Sequence, residues 1–311
     1  MSEFDRPALV QFAQDSISRG SKSFRFASRL FDRTTRERVW LLYAWCRKCD
    51  DMADGQDHGG AMAAVTDPQE SLAAIRTLTA KALAGTPTGE PAFDCLGVVA
   101  RECGITARMA EDVIEGFALD AADWHPRRES DLYQYCYHVA GAVGVMMAVV
   151  MGVPADDDAT LDRACDLGLA FQLANIARDI AEDDAAGRCY LPDDWLATLD
   201  IGPGEHMKPH NRKKLALMGR WLADEAEQYE ASARVGAAHL PLRARWAVLS
   251  AAGIYGEIAR KVRAADSHAW DQRIFTSRPE KFRWVRKAFV DAVANNPRAM
   301  DRDALWTRTR V

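Results

Sequence analysis

Residues 161–184, LDRACDLGLAFQLANIARDIAEDD, decide the fold class of this chain. Their apolar side chains recur with the period of a helix, and the pattern extends from near Ala159 to Gly187. An acidic cluster, Asp179-Ile180-Ala181-Glu182-Asp183, lies near the C-terminal end of this stretch. The sequence therefore predicts a long helix that carries two carboxylates four residues apart.

A second predicted helix carries a similar acidic cluster. It begins at Thr34-Thr35-Arg36-Glu37, which has the spacing of a capping box, and continues through the apolar VWLLYAWC to near Gly55. Asp50-Asp51-Met52-Ala53-Asp54 lies at its C-terminal end. If the two helices face each other, their carboxylates form a site for a divalent metal and a diphosphate.

Helical geometry separates these clusters from chance matches to the same spacing. An α-helix rotates by about 100° per residue. With this rotation a stripe roughly 60° wide contains Tyr43, Arg47, Asp50 and Asp54, with Asp51 at its edge. On the later helix a second stripe, roughly 80° wide, contains Gln172, Asn175, Asp179 and Asp183. Asp162 and Asp166 also have the four-residue spacing but lie off this face, so we expect them to be ordinary solvated charges.

Two interpretations of the polar stripes remain open from the residues alone. Each stripe is either a solvent-exposed helix face or a metal and diphosphate site. Like charges four residues apart destabilise a helix by roughly 0.2–0.5 kcal/mol unless a counter-ion relieves them. Mg²⁺ is the cation that carboxylate and water oxygens suit best, with Mn²⁺ as the alternative.

Helical patterns dominate the rest of the chain, and alternating strand patterns are scarce. We predict an all-α helical bundle around a central cavity, formed by a single domain, 1–311, with flexible tails at 1–6 and 296–311. The other predicted helices are Pro7–Arg19, Leu72–Leu83, Ala107–Ala122, Asp131–Met151, Arg212–Ala237, Ala244–Ala265 and Pro279–Ala294.

Composition limits the classes of function. The 311 residues are 48% hydrophobic and 27% charged, with a net charge of −5, as in a globular protein with a sizeable core. The basic residues are dispersed, which argues against a nucleic-acid partner. Neither a signal peptide nor a membrane span is evident, so we expect a cytoplasmic protein, with peripheral contact at the inner face of the membrane.

The seven cysteines are predicted to be reduced and structural. Cys46 and Cys49 form a Cys-x-x-Cys pair, but no second pair accompanies them and they fall within a predicted helix. The seven histidines show no ligand spacing. A transition-metal site is therefore not expected.

Several blocks of the chain resemble the squalene/phytoene synthase family. They are SKSF at 21–24, YAWCRKCDDMAD at 43–54, YCYHVAGAVG at 135–144, QLANIARD at 172–179 and GRCYLP at 187–192. They cover most of the chain in the family's order, and bacterial phytoene synthases are the nearest kind. The resemblance implies an isoprenoid-synthase-type fold and a Mg²⁺-dependent prenyltransferase that joins two geranylgeranyl diphosphates head to head, through prephytoene diphosphate, to phytoene.

The resemblance also implies roles for individual residues. The expected metal ligands are Asp50, Asp54, Asn175, Asp179 and Asp183, and these aspartates are expected to be catalytic together with Tyr43, Arg47 and Tyr135. The expected substrate-binding residues are Ser23, Arg47, Gln172, Asn175, Arg178, Arg188, Tyr190, Tyr255, Val139, Ala140 and Gly144. Phe24 and Phe117 are further candidates for aromatic lining. Because phytoene needs no hydride and no nicotinamide fingerprint is present, no NADPH is expected.

Three alternatives remain. The same chemistry on fifteen-carbon substrates would give presqualene diphosphate or dehydrosqualene. A non-catalytic relative would serve assembly or binding, but such a protein should have lost acids from one cluster. A chain-elongating prenyl synthase fits the first cluster, Asp50-Asp51-Met52-Ala53-Asp54, but not the second. Trp306 is a candidate for membrane contact, and the sequence leaves the oligomeric state open.

Overall fold

The computed structural model describes residues 4–20, 27–54, 68–122 and 124–309, and every regular element in these ranges is a helix. This confirms the all-α prediction. The chain divides into two compact units, Met1–Ala122 with Val145–Leu161 (unit 1) and Asp123–Gly144 with Asp162–Val311 (unit 2). The single domain and its central cavity stay predictions. No helix in the described ranges is both long and apolar enough to cross a bilayer.

In the described part of unit 1, the apolar faces of five helices meet. They are α1 (Arg6–Gly20), α2 (Arg33–Asp54), α3 (Pro68–Leu83), α4 (Pro91–Cys103) and α5 (Ala107–Ala121). The largest fully buried side chain is Trp45 of α2, and its indole N–H donates to the Thr79 hydroxyl over 3.2 Å. Cys46 and Cys49, on the same helix, are unpaired thiols, and burial raises the pKa of both.

The start of α2 differs from the predicted capping box at Thr34. Asp32 is the residue that caps the helix, since its carboxylate accepts from the Thr35 backbone N–H over 3.0 Å and from the Thr35 hydroxyl over 2.7 Å. Glu37, expected to complete the box, instead accepts from Arg6 over 2.8 Å and from Arg33 over 2.9 Å. The cap is therefore Asp32, two residues before the predicted one. Glu37 binds the distant Arg6 and does not complete a capping box.

Unit 2 continues the helical order. Its helices are α6 (Glu129–Cys136), a π-helical turn (Tyr137–Gly141), α7 (Ala142–Val150), α8 (Asp158–Ala185), α9 (Asp193–Thr198), α10 (Arg212–Ala237), α11 (Leu242–Ala265) and α12 (Arg278–Ala294); residues 145–150 of α7 and 158–161 of α8 belong to unit 1. The predicted bounds agree closely, but α4 and α9 were missed. Pro91 occupies the first turn of α4, where proline is favoured.

Glycines bring the π-helical turn and α7 against α8. A Cβ on Gly144 would lie 2.5 Å from the Ala164 carbonyl oxygen, and one on Gly168 would collide with the Ala140 carbonyl. Only hydrogen fits at these two crossings. The two backbones therefore touch, and Gly144 is a packing residue of this crossing.

The N-terminal half of α8 carries two buried carboxylates. Asp162 and Asp166 have essentially no exposed surface, so the expectation that they are solvated charges was wrong. Arg302 donates to both oxygens of Asp166 over 2.7 Å, and Arg308 donates to Asp162 over 2.9 Å. Their arginine partners lie far away in sequence, in the segment after α12, and helical direction alone could not identify them.

These contacts also correct the expected tails. Residues 300–308 are held to unit 2 by the two arginines and by the Trp306 backbone N–H, which donates to the Tyr229 hydroxyl over 3.2 Å. At the other end, Arg6 begins α1 and pairs with Glu102 over 2.5 Å. Residues 1–3, 310 and 311 lie outside the described residues.

Loss of Arg302 should therefore destabilise the protein. In an Arg302→Ala variant the Asp166 carboxylate stays buried without its charge partner, and we expect the free energy of unfolding to fall by about 3 kcal/mol. Chemical denaturation would measure this. Arg298→Ala removes an exposed arginine from the same segment and should change stability by less than about 0.5 kcal/mol. Equal stability of the two variants would contradict the buried pair.

Candidate active site

The polar stripe predicted on α2 is present, and Asp51 belongs to it. Arg47 reaches Asp51 with its Nη2 atom 2.5 Å from Oδ1, whereas its Nη1 atom lies 3.7 Å from an Asp50 oxygen. Asp50 is the more exposed of the two carboxylates. Burial, with smaller contributions from Asp50 and Asp51, raises the pKa of Tyr43 to about 12, so its hydroxyl stays protonated at neutral pH.

Gly20, the last residue of α1, gives the Tyr43 ring its space. A Cβ on Gly20 would collide with the Tyr43 hydroxyl oxygen and would lie 3.4 Å from the ring carbon that bears it. Asp54 is the last residue of α2, and its side chain is outside the described part of the structure, as are Ser23 and Phe24. Their predicted roles are untested.

The second stripe lies on the C-terminal half of α8, within unit 2. Gln172, Asn175, Asp179 and Asp183 are all half-buried, as a site that opens toward a ligand requires. Arg178 is bonded to the carboxylate of Asp179 through both Nε, at 2.7 Å, and Nη2. This fork geometry is the one with which arginine also binds phosphate.

Arg273 is a member of this site that the sequence did not reveal. Its Nη2 atom lies 2.9 Å from Asp179 and its Nη1 atom 3.1 Å from Glu182. The segment that carries it is fixed to α8 by Trp270, whose indole N–H donates to the Ala177 carbonyl over 3.0 Å. A residue between two helices follows no periodic pattern, so no signal in the sequence pointed to it.

Asp183 has an unusual electrostatic environment. Burial, and then the negative charges of Asp179 and Glu182, raise its pKa to about 7, against the opposing effect of Arg188 and Arg178. The Arg188 backbone N–H also donates to the Asp183 carbonyl over 2.8 Å. The arginines present therefore compensate the carboxylates of this stripe only in part.

A hard divalent cation fits the chemistry of these donors. Within the described residues no three carboxylate, histidine or cysteine side chains form a ready metal cluster. The stripe nevertheless offers two carboxylates and the side-chain oxygens of Asn175 and Gln172, on one half-buried helix face. The positive charge of a bound cation would oppose the burial and the negative charges that raise the pKa of Asp183. Carboxylate oxygen is also the preferred ligand of Mg²⁺.

Aromatic rings flank Tyr135, one of the two predicted catalytic tyrosines. Tyr135 is buried and stacked between Trp124, with ring centroids 5.3 Å apart, and Tyr190, at 4.9 Å. Tyr255 is stacked on Phe171 at 4.2 Å. Burial raises the pKa of Tyr255 although Arg178 opposes this, which places its hydroxyl in a weakly solvated environment close to that arginine.

Val139, Ala140 and Gly144, which were expected to bind substrate, have different surroundings. Val139 and Ala140, in the π-helical turn, are half-buried. Gly144, in contrast, faces α8 so closely that a Cβ there would collide with the Ala164 carbonyl, which favours a packing role. Phe117 is half-buried on α5 in unit 1.

The chain is similar to a known protein family and to several of its named members. The squalene/phytoene synthase family model matches residues 17–280. A phytoene synthase of Pseudescherichia vulneris is 46% identical, covering 97% of this chain and 99% of its own length. A 15-cis-phytoene synthase of Pantoea ananas is also 46% identical, covering 95% of this chain and 96% of its own.

Solved structures confirm the fold. A dehydrosqualene synthase crystallised with a ligand superimposes with a TM-score of 0.81 at 26% identity, covering 93% of this chain and 98% of that one. The squalene synthase HpnC from Alicyclobacillus acidocaldarius gives 0.75 at 22% identity, covering 84% and 95%, and supports the fold alone. The expected isoprenoid-synthase-type architecture is thereby confirmed, and with a family model matched over most of its length this chain belongs to the squalene/phytoene synthase family.

Proposed function

We propose that this protein is a phytoene synthase, which condenses two geranylgeranyl diphosphates through prephytoene diphosphate to phytoene and releases two diphosphates. The observation that carries the proposal is the 46% identity to bacterial phytoene synthases over nearly the whole chain. Both acidic clusters are intact, which argues against a non-catalytic relative. Isoprenoid diphosphates are accordingly the proposed substrates.

Asp50, Asp54, Asn175, Asp179 and Asp183 would hold Mg²⁺. When bound, the ion would neutralise diphosphate oxygens as the carbon–oxygen bond of the substrate ionises. The half-buried face of α8 supports this role, since it brings two carboxylates and an amide oxygen together where solvent has only partial access.

Arginines would bind the remaining phosphate oxygens. Arg178 presents a planar fork that is already oriented by Asp179, and Arg188 follows Asp183 at the turn after α8. Arg47 has the equivalent position on α2, where Asp51 orients it. The side chains of Arg47 and Arg178 are each held by a carboxylate, so these two arginines would lose little side-chain entropy when a diphosphate binds.

Buried aromatic rings suit the carbocation that ionisation produces. Because Trp124 and Tyr190 cover the two faces of Tyr135, the rings of Tyr190 and Tyr255 would offer the polarisable faces, with little water around them. Such faces stabilise a cation through the ring quadrupole, and exclusion of water prevents its hydrolysis. Val139 and Ala140 would contact the isoprenoid tail.

Substrate length is the point on which a second candidate remains. The match to a dehydrosqualene synthase favours the same reaction on fifteen-carbon diphosphates, with dehydrosqualene as the product. Purified protein should be incubated with Mg²⁺ and either the fifteen- or the twenty-carbon diphosphate, with and without NADPH. We expect phytoene from the longer substrate, independent of NADPH and abolished by a chelator. Conversion of the shorter substrate alone would reject the proposed chain length, and turnover in chelator would reject the metal.

The α8 cluster is tested by a pair of neighbouring substitutions. Asp183→Asn removes a proposed ligand and should lower kcat by about 100-fold or more. Asp184→Asn, one residue further, changes a carboxylate that lies 3.2 Å from His206 instead, and it should keep the parent rate. Steady-state kinetics with matched circular dichroism would measure both. If the folded Asp183→Asn protein turns over at the parent rate, the ligand assignment is wrong.

A further inference from the structure

The outer side of α12 exposes large apolar side chains. Phe282, Val290 and Val293 are 69%, 62% and 58% exposed, and Phe289 is also exposed although its ring meets Trp246. Few other large apolar residues in the described chain are as exposed. Isolated apolar side chains on a surface are ordinary, but a group on one helix marks an interaction site.

These side chains form one face. Counted by the helical turn, Phe289, Phe282, Val293 and Val290 fall within an arc of about 100° that also contains Arg286. The opposite side holds Ala288 and Ala292, which are buried against Leu249 and Ala237 of the two preceding helices. The helix is therefore apolar on both sides, and in the described residues the inner side packs into the core while the outer side stays largely exposed apart from the contact of Phe289 with Trp246.

Charge on α12 is distributed unevenly. Arg286 lies within the apolar arc, and Arg278, Arg283 and Lys287 flank it. Both acids of the helix are directed away from it, because each has a cation of α10 or α11 as partner. Glu280 accepts from Lys261 over 2.7 Å, and Asp291 lies 3.9 Å from Arg234. The outward surface thus combines apolar side chains with positive charge.

We propose that this face of α12 docks on the surface of a bilayer that contains anionic phospholipids. An amphipathic helix with phenylalanine and valine on its outer side and arginine or lysine around them is suited to lie in the plane of the lipid headgroups. Negative headgroups complement Arg278, Arg286 and Lys287, each worth about fivefold in binding, whereas Arg283 already has a Glu257 oxygen 3.3 Å away. Trp306, the earlier candidate for membrane contact, packs against Tyr137 with ring centroids 5.6 Å apart, and α12 takes its place.

The inference goes beyond the proposed reaction and is tested apart from it. Full-length protein without substrate should be sedimented with vesicles of phosphatidylcholine alone, or of phosphatidylcholine mixed with phosphatidylglycerol. We expect binding to the mixed vesicles only, weakening as salt is added. Equal binding to both vesicle types, or to neither, would overturn the proposal and would leave the proposed reaction untouched.

Variants on two helices locate the surface. A Phe282→Ser/Val290→Ser double variant and Arg286→Glu should each bind the mixed vesicles at least about tenfold more weakly. The matched controls, Leu217→Ser and Lys213→Glu, change exposed residues of α10 and should stay within about twofold. Equal losses in the controls would place the contact elsewhere.

The alternative partner for the exposed apolar face of α12 is a second copy of the chain. Analytical ultracentrifugation of the parent and of the Phe282→Ser/Val290→Ser variant tests this directly. We expect the same mass for both proteins, with unchanged circular dichroism, because the substituted side chains are exposed. A lower mass for the variant would show that α12 joins two copies, and the lipid proposal would then be wrong.

Discussion

Asp179 and Asp183 lie one helical turn apart on a half-buried face of α8, and much of unit 2 is arranged around their charge. Arg178 binds one carboxylate from the same helix, and Arg273 reaches it from the segment after α11. The pKa of Asp183 remains raised despite its cationic neighbours. A half-buried face that holds two carboxylates in a poorly solvated environment is suited to bind a cation, and this property underlies the proposed diphosphate chemistry.

The other half of α8 carries the same kind of residues with the opposite outcome. Asp162 and Asp166 are buried more deeply, yet Arg302 and Arg308 match them closely. Those acids are structural because the chain and its arginines enclose them completely, whereas Asp179 and Asp183 keep part of their surface exposed. Comparison of the two halves shows that access for a ligand, and not the spacing of the acids, separates a structural carboxylate pair from a candidate site.

The sequence predicted most of the helices well, because periodicity is a local property. It failed where the partner comes from elsewhere in the chain. Arg273 and Arg302 lie outside helices, so no period marks them. Asp166 was assigned to solvent because its direction on the helix was known but its surroundings were not. Thr34 was predicted as the cap, but Asp32 has equally suitable chemistry and only the backbone distinguishes the two.

The glycine crossing of α7 and α8 restricts how this protein can diverge. Gly144 and Gly168 leave no space between the two backbones, so neither helix can move there without moving the other. Val139 and Ala140 lie beside this fixed crossing and are half-buried, so their side chains can change in size while the crossing stays in place. A relative that accepts a shorter or longer chain would be expected to differ at such positions, and to keep its glycines.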